Sequence, residues 1–158
     1  MSRFEFQVED ADGSPKTVAV PFENHDRVRD LIERLDREDQ IDGGAVLEAA
    51  LGSASIIDEN RPLGEIKWPS QPIRLRRVCI ELHFEGDSKQ RKFPVQAKWA
   101  RVHRWGCRAF TIASDACAHL ELREDNPQGP AINERQEIGP HTGCKTVWLV
   151  KPGPEPNG

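Results

Sequence analysis

Two stretches of this chain carry the same order of sequence patterns about 72–75 residues apart, and that self-similarity limits the fold more than any single motif. The first opens with Phe4-Glu5-Phe6-Gln7-Val8, alternating as a half-buried strand does. The turn formers Asp10-Ala11-Asp12-Gly13-Ser14-Pro15 follow, and a second alternating run passes through Val18 and Val20. The spacing predicts a β-hairpin. After a capping region at Asn24-His25-Asp26, residues Val28, Leu31, Ile32 and Leu35 fall at i, i+3, i+4 and i+7, with Arg29, Asp30, Glu33 and Arg34 on the other side. That is one amphipathic helix. In the second stretch Ile80, Leu82 and Phe84 alternate, Gly86-Asp87-Ser88 turns, and Phe93 and Val95 alternate again before a helix bearing Val102, Trp105, Ala109 and Phe110. Val8 is matched with Leu82, Val28 with Val102, Ile66 with Ile138 and Leu75 with Leu149.

The repeat also decides an ambiguous segment. Propensity favours helix across Leu47, Glu48, Ala49 and Ala50. The counterpart His119-Leu120-Glu121-Leu122-Arg123 alternates cleanly, so residues 45–51 are expected to form a strand, with Gly43-Gly44 as a loop. A short strand near 55–57 should match one near 130–132, and closing strands are expected at 72–76 and 145–150. Two small domains result, 1–77 and 78–151, joined by a hinge of about two residues. The remainder, 152–158, has three Pro and two Gly after Lys151 and no apolar anchor, which predicts an exposed tail with polyproline character.

Charge narrows the partners. The net charge of −4 arises in the first half, where acids outnumber bases, and the basic residues are interspersed with acids rather than gathered. That argues against a phosphate-tracking groove while leaving local basic faces, so no nucleic acid is expected. No run approaches the roughly 18–20 apolar residues that span a bilayer, so a cytoplasmic protein with no membrane partner is expected. Cys79, Cys107, Cys117 and Cys144 include no CxxC pair, and in the cytosol they are expected to be reduced, with Cys79 and Cys107 as small buried hydrophobes on a strand and a helix.

Ile57-Asp58-Glu59-Asn60-Arg61-Pro62-Leu63-Gly64-Glu65-Ile66 followed by Pro72-Ile73-Arg74-Leu75-Arg76 resembles the second half of ubiquitin, and Ile132-Asn133-Glu134-Arg135-Gln136-Glu137-Ile138 through Val150 resembles it more weakly. Two such units and a terminal Gly are similar to the tandem ubiquitin-like modifiers, among them the interferon-induced modifier of vertebrates and bacterial proteins of antiviral conjugation operons. The resemblance implies an α+β fold of two tandem ubiquitin-like β-grasp domains, each a mixed sheet packed on one main helix. It implies a protein modifier, not an enzyme, joined by an isopeptide bond through Gly158. Its partners would be an activating-like enzyme, a conjugating-like enzyme, a JAB-type metalloprotease and target proteins, phage virion proteins in the bacterial setting. The tail departs from the family's usual Gly-Gly after Arg, since it ends Pro156-Asn157-Gly158. Cognate enzymes would therefore read Pro154, Pro156 and Asn157.

Strand alternation supplies a partner-binding surface. With Val147 and Leu149 toward the core, as Ile73 and Leu75 are in the first copy, Trp148 and Val150 face outward near His119, Glu121 and Arg123 of the neighbouring strand. Packing of Trp148 against the first domain is the competing structural role. Metal is a further possibility: His103 and Cys107 are four apart on the second helix, and Cys117-Ala118-His119 and His141-Thr142-Gly143-Cys144 offer other ligands. Zinc needs such groups to converge, and none has ribbon or finger spacing, so no metal and no cofactor is expected. Cys144 and His141 could be drawn as a nucleophile and base, yet no oxyanion loop or nucleophile elbow stands beside them. A non-covalent adaptor, docking partners through the same fold, is the alternative function.

Overall fold

The N-terminal alternation folds as a hairpin: strand β1 (Ser2–Glu9) pairs antiparallel with β2 (Pro15–Phe22). Phe4, Phe6, Val8, Val18, Val20 and Phe22 are thereby buried on one face. A computed structural model describes residues 2–9, 15–39, 41–52 and 58–152; the turn at 10–14 and the strand expected at 55–57 lie outside them. Helix α1 (Val28–Asp39) lays Val28, Leu31 and Leu35 on the hairpin. Each such side chain contributes about 1.5–3 kcal/mol by leaving water.

Helix α2 (Gly43–Leu51) replaces the strand expected at 45–51. Asp42 accepts a hydrogen bond from Ala45 N at 3.1 Å and caps the helix, whose last turn closes with Gly52 N donating to Glu48 O at 2.8 Å. The expected loop at Gly43-Gly44 is instead the buried first turn of this helix. Alternation was no guide because the segment is buried from two directions: Val46 and Leu47 join the hydrophobic cluster of the first half, Ala45 that of the second. Local propensity prevailed over the analogy with the second copy.

After a single 3-10 turn at Leu63–Glu65 comes β3 (Ile73–Phe84), then β4 (Asp87–Pro94), α3 (Trp99–Ala109), α4 (Ser114–Ala118), β5 (Glu121–Glu124) and β6 (Cys144–Val150). The strand near 130–132 reduces to an isolated bridge between Arg123 and Ala131. Together the strands form a mixed sheet of order β2-β1-β3-β6-β5, with β4 also on β3. The start of β3 runs parallel to β1, and its later part runs parallel to β6 and antiparallel to β4. In the second half the order β4-β3-β6-β5 places first and last strands parallel at the centre, with α3 between hairpin and β5 in sequence. This is the β-grasp arrangement of an α+β fold. The first half shares its centre, β2-β1-β3, while α2 stands in for the next strand.

A backbone ladder occurs twice. Val28 N and Arg29 N donate to Arg61 O and Glu59 O, and Leu63 N and Gly64 N return to Asp26 O and Asn24 O. In the second half Trp99 N and Ala100 N donate to Gln136 O and Glu134 O, while Ile138 N and Gly139 N return to Ala97 O and Val95 O. The first amides of each helix, which have no intrahelical partner, thus find carbonyls of the same later loop. The ladder equates Val28 with Trp99 and Leu63 with Ile138, displacing by a few residues the matches of Val28 with Val102 and Ile66 with Ile138 made from sequence.

The expected hinge near residue 77 is absent, because β3 crosses that point as one strand. Its buried residues change parity there: Leu75 and Arg77 before, then Val78, Ile80 and Leu82. Since alternate side chains of a strand point to opposite faces, the two hydrophobic clusters lie on opposite sides of one shared strand. A further link joins the halves at Ile41, which bridges Lys92 in parallel, and Asp42 N donates to Lys92 O at 2.9 Å.

Candidate partner-binding face and cysteine–histidine cluster

Strand β6 runs between β3 and β5, and its register determines what it offers outward. Val147 and Leu149 are buried, as expected. Trp148 lies beside His83 of β3 and Arg123 of β5, and Val150 beside Glu121. The Trp148 and His83 rings stack with centroids 4.6 Å apart, and the indole N–H donates to Asp125 O at 3.2 Å. Trp148 is therefore half-buried and held by its own sheet. Arg123 is held too, paired with Glu121 and donating through Nη1 to Gly129 O at 3.0 Å. The result is a pre-ordered patch of Trp148, His83, Val150 and Arg123 with an aromatic centre, the composition that anchors protein interfaces.

His119 is not on the strand assigned to it: it is the exposed residue that ends α4, two positions before β5 begins. His83 was missed from sequence, although its place two residues after Glu81 in an alternating strand put it on the outward face. Past Val150, Lys151 and Pro152 are exposed. Pro154, Pro156, Asn157 and Gly158 lie outside the described residues.

The expectation of four reduced cysteines is corrected. Cys79 is bonded to Cys144, and Cys107 to Cys117. Cys79 is on a strand as predicted but faces outward and is only half-buried, whereas Cys107 is buried on α3. The first disulfide joins neighbouring positions of the parallel strands β3 and β6. His141 Nε2 lies 2.9 Å from Cys79 O, and the Cys144 sulfur is committed to the bond, so the pair considered as nucleophile and base has no thiol.

Among the metal candidates the structure brings three together and leaves the rest apart. His103, Cys107 and Cys117 place their ligand atoms within 4.8 Å of one another. His103 Nδ1 is 2.7 Å from Glu134 Oε2, and Nε2 is 2.8 Å from Cys117 O. These residues border a cavity of about 660 Å³ into which Arg104 and Arg108 also project. The convergence depends on α4, a short element that no periodicity in the sequence announced.

No protein-family model matches the chain. No curated protein matches it either. Among solved structures the chain is similar to one described as Caldiarchaeum subterraneum ubiquitin, at 10% identity and a TM-score of 0.38, over 51% of this chain and 99% of that one. The β-grasp assignment rests on the strand order and pairing described above, not on that likeness. No helix among the described residues is long and apolar enough to cross a membrane.

Proposed function

We propose that this chain is a ubiquitin-like protein modifier built from two tandem β-grasp domains, 1–77 and 78–151, and joined to target proteins through the carboxylate of Gly158. The observation that carries the reading is the doubled backbone ladder on a sheet whose first and last strands run parallel, with the final strand leading from a pre-ordered aromatic patch toward exposed Lys151 and Pro152. An activating-like enzyme would adenylate the carboxylate with ATP, releasing pyrophosphate. A cysteine thiol of that enzyme would displace AMP to form a thioester, thiol exchange would pass the acyl group to a conjugating-like enzyme, and a target lysine amine would displace that thiol to form the isopeptide bond. Gly158 lacks a Cβ to crowd the attacking nucleophile. On this reading the chain is a substrate of enzymes rather than an enzyme. It works in the cytoplasm, where ATP is available and where the reducing pool would open the two disulfides, with a JAB-type metalloprotease to trim or release it and phage virion proteins as targets of an antiviral role.

The test is co-expression with the activating and conjugating enzymes of a bacterial ubiquitin-like operon. Higher-mass conjugates that vanish when Gly158 is deleted support the modifier. The second reading is a non-covalent adaptor, favoured by the patch around Trp148 and by the shared strand β3, which makes one body of two halves. Partner capture that survives deletion of 152–158 but is lost in Trp148→Ala, with no conjugates in either case, would establish the adaptor instead.

A further inference from the structure

The ladder that equates Val28 with Trp99 and Arg29 with Ala100 also equates Ile32 with His103. A residue that packs on the first hydrophobic cluster thus has, in the second half, a buried imidazole as its counterpart. Hydrophobic packing does not call for that ring. Its surroundings do, because His103 Nδ1 meets the Glu134 carboxylate at 2.7 Å, Nε2 lies 2.8 Å from the Cys117 carbonyl oxygen, and the ring comes within 4.8 Å of both sulfurs of the Cys107–Cys117 pair. A histidine anchored to a carboxylate through one ring nitrogen, with its ring beside two cysteine sulfurs, has the layout of an oriented metal ligand once the other nitrogen leaves its carbonyl partner.

We propose that this cluster is a zinc site opened by reduction. A dithiol reductant supplies two electrons and two protons: the Cys107–Cys117 bond breaks, two thiols form, and the reductant leaves as its own disulfide. Zn²⁺ then displaces three protons to solvent, one from each thiol and the one that His103 Nε2 gives to the Cys117 carbonyl, and is held by Cys107 Sγ, Cys117 Sγ and His103 Nε2 while Nδ1–H stays on Glu134. Glu134 is a positioning residue that fixes the ring tautomer. The fourth coordination position faces the cavity beside Arg104 and Arg108, where water can enter. Two thiolates neutralise the ion, so the buried site carries no net charge. Oxidation closes the site and reduction opens it, which makes the second half responsive to the redox state of its compartment.

The experiment uses the full chain, reduced with a dithiol, freed of the reductant under argon, and titrated with Co²⁺ and then Zn²⁺. The expected result is about one Co²⁺ per chain, with thiolate-to-cobalt charge transfer and tetrahedral ligand-field bands that Zn²⁺ abolishes, and no uptake by the oxidised chain. The Cys79→Ser/Cys144→Ser variant should bind as the wild type does, and Glu134→Gln should keep the spectrum while weakening affinity about 10-fold or more. No cobalt uptake by the reduced wild type, or an unchanged spectrum in Cys117→Ser, would overturn the proposal. Should Cys117→Ser not fold, alkylation of the reduced wild type decides: Zn²⁺ should protect Cys107 and Cys117 while Cys79 and Cys144 react freely, and equal protection of all four would contradict the site.

Discussion

Asp42 and Arg91 meet 3.1 Å apart where the two halves touch, and the carboxylate serves both sides at once. Its Oδ1 accepts from Arg91 of β4, while its Oδ2 caps α2 at Ala45 N and lies 3.5 Å from Arg101 of α3. Arg91 also pairs with Asp36, and Arg101 with Glu48, so two arginines of the second half are gripped by three acids of the first. Asp42 is 2% exposed. Burial of a charge is costly enough that such a cluster adds little net stability over a well-packed apolar contact. Its effect is to fix how the halves sit, since sliding either one would strand a buried charge.

Asp42→Ala and Asp42→Asn should therefore differ. Alanine removes the cap and leaves Arg91 and Arg101 short of an acceptor, a loss of about 2–4 kcal/mol from a cap worth about 1 and unsatisfied partners worth about 1–3. Asparagine keeps one oxygen for the cap and Arg101 but turns its NH₂ toward Arg91, so it should cost less than alanine while still losing about 1–2 kcal/mol. Urea unfolding of the three proteins checks the order; equal losses would show that the oxygen positions do not matter.

The pH response has two opposing parts. Burial pushes the Asp42 carboxyl above the ordinary aspartate value, against the pull of Arg91 and Arg101. A raised folded-state value gives a contribution that is full below about pH 3.9 and is lost as pH rises through that folded-state value. Asp26 goes the other way: the Glu23 N–H, bonded at 2.9 Å, and then Arg34 hold it below the ordinary range. Its contribution is present above about pH 3.9 and is lost as pH falls through its lowered value. The stability gap between wild type and Asp42→Asn should widen as pH falls from neutral toward about 4. The gap between wild type and Asp26→Asn should shrink at more acid pH. Denaturant titrations across that range read both.

Gly43 and Gly44 test the helix that replaced a strand. A Cβ on Gly43 would stand 2.5 Å from the carbonyl oxygen of Ile32, where backbone on α1 cannot yield, and Gly43→Ala should cost about 1–3 kcal/mol. On Gly44 it would meet the Arg101 guanidinium at 2.7 Å, a flexible group that can move aside. Helix propensity returns up to about 1 kcal/mol against the disturbed pairing of Arg101 with Asp42 and Glu48, so Gly44→Ala should cost less than Gly43→Ala. Thermal melts of the two variants distinguish this from a loop, in which both changes would be mild.

The two disulfides should contribute unequally. Cys79–Cys144 closes a separation of 65 residues and Cys107–Cys117 one of 10. Chain entropy assigns about 4 kcal/mol to the longer and about 3 to the shorter. Replacing the first pair by serine should lower Tm more than replacing the second, measured under oxidising conditions.

What the sequence made legible was periodic and local. Phe4, Phe6 and Val8, and Val28, Leu31 and Leu35, declared a hairpin and a helix, and Val147 and Leu149 declared the inward face of β6. Features that depend on two distant segments left no such trace. The helical state of 43–51 was signalled by propensity alone, since apolar contact on both sides erases periodicity, and the cysteine pairings had no signal because spacing does not encode connectivity. His83 beside Trp148 and Asp42 beside Arg91 are products of register and docking, and no pattern within one segment specifies either.

A covalent bond from the Gly158 carboxylate is what sets a modifier apart from an adaptor. Trypsin digestion of material captured from cells that also make the activating and conjugating enzymes should yield branched peptides in which a target lysine carries a fragment ending Pro156-Asn157-Gly158 through its glycine carboxylate. Such branches on lysines, absent when Gly158 is removed, are the predicted result. Recovery of the intact chain with partners bound and no branched peptide would contradict the modifier reading.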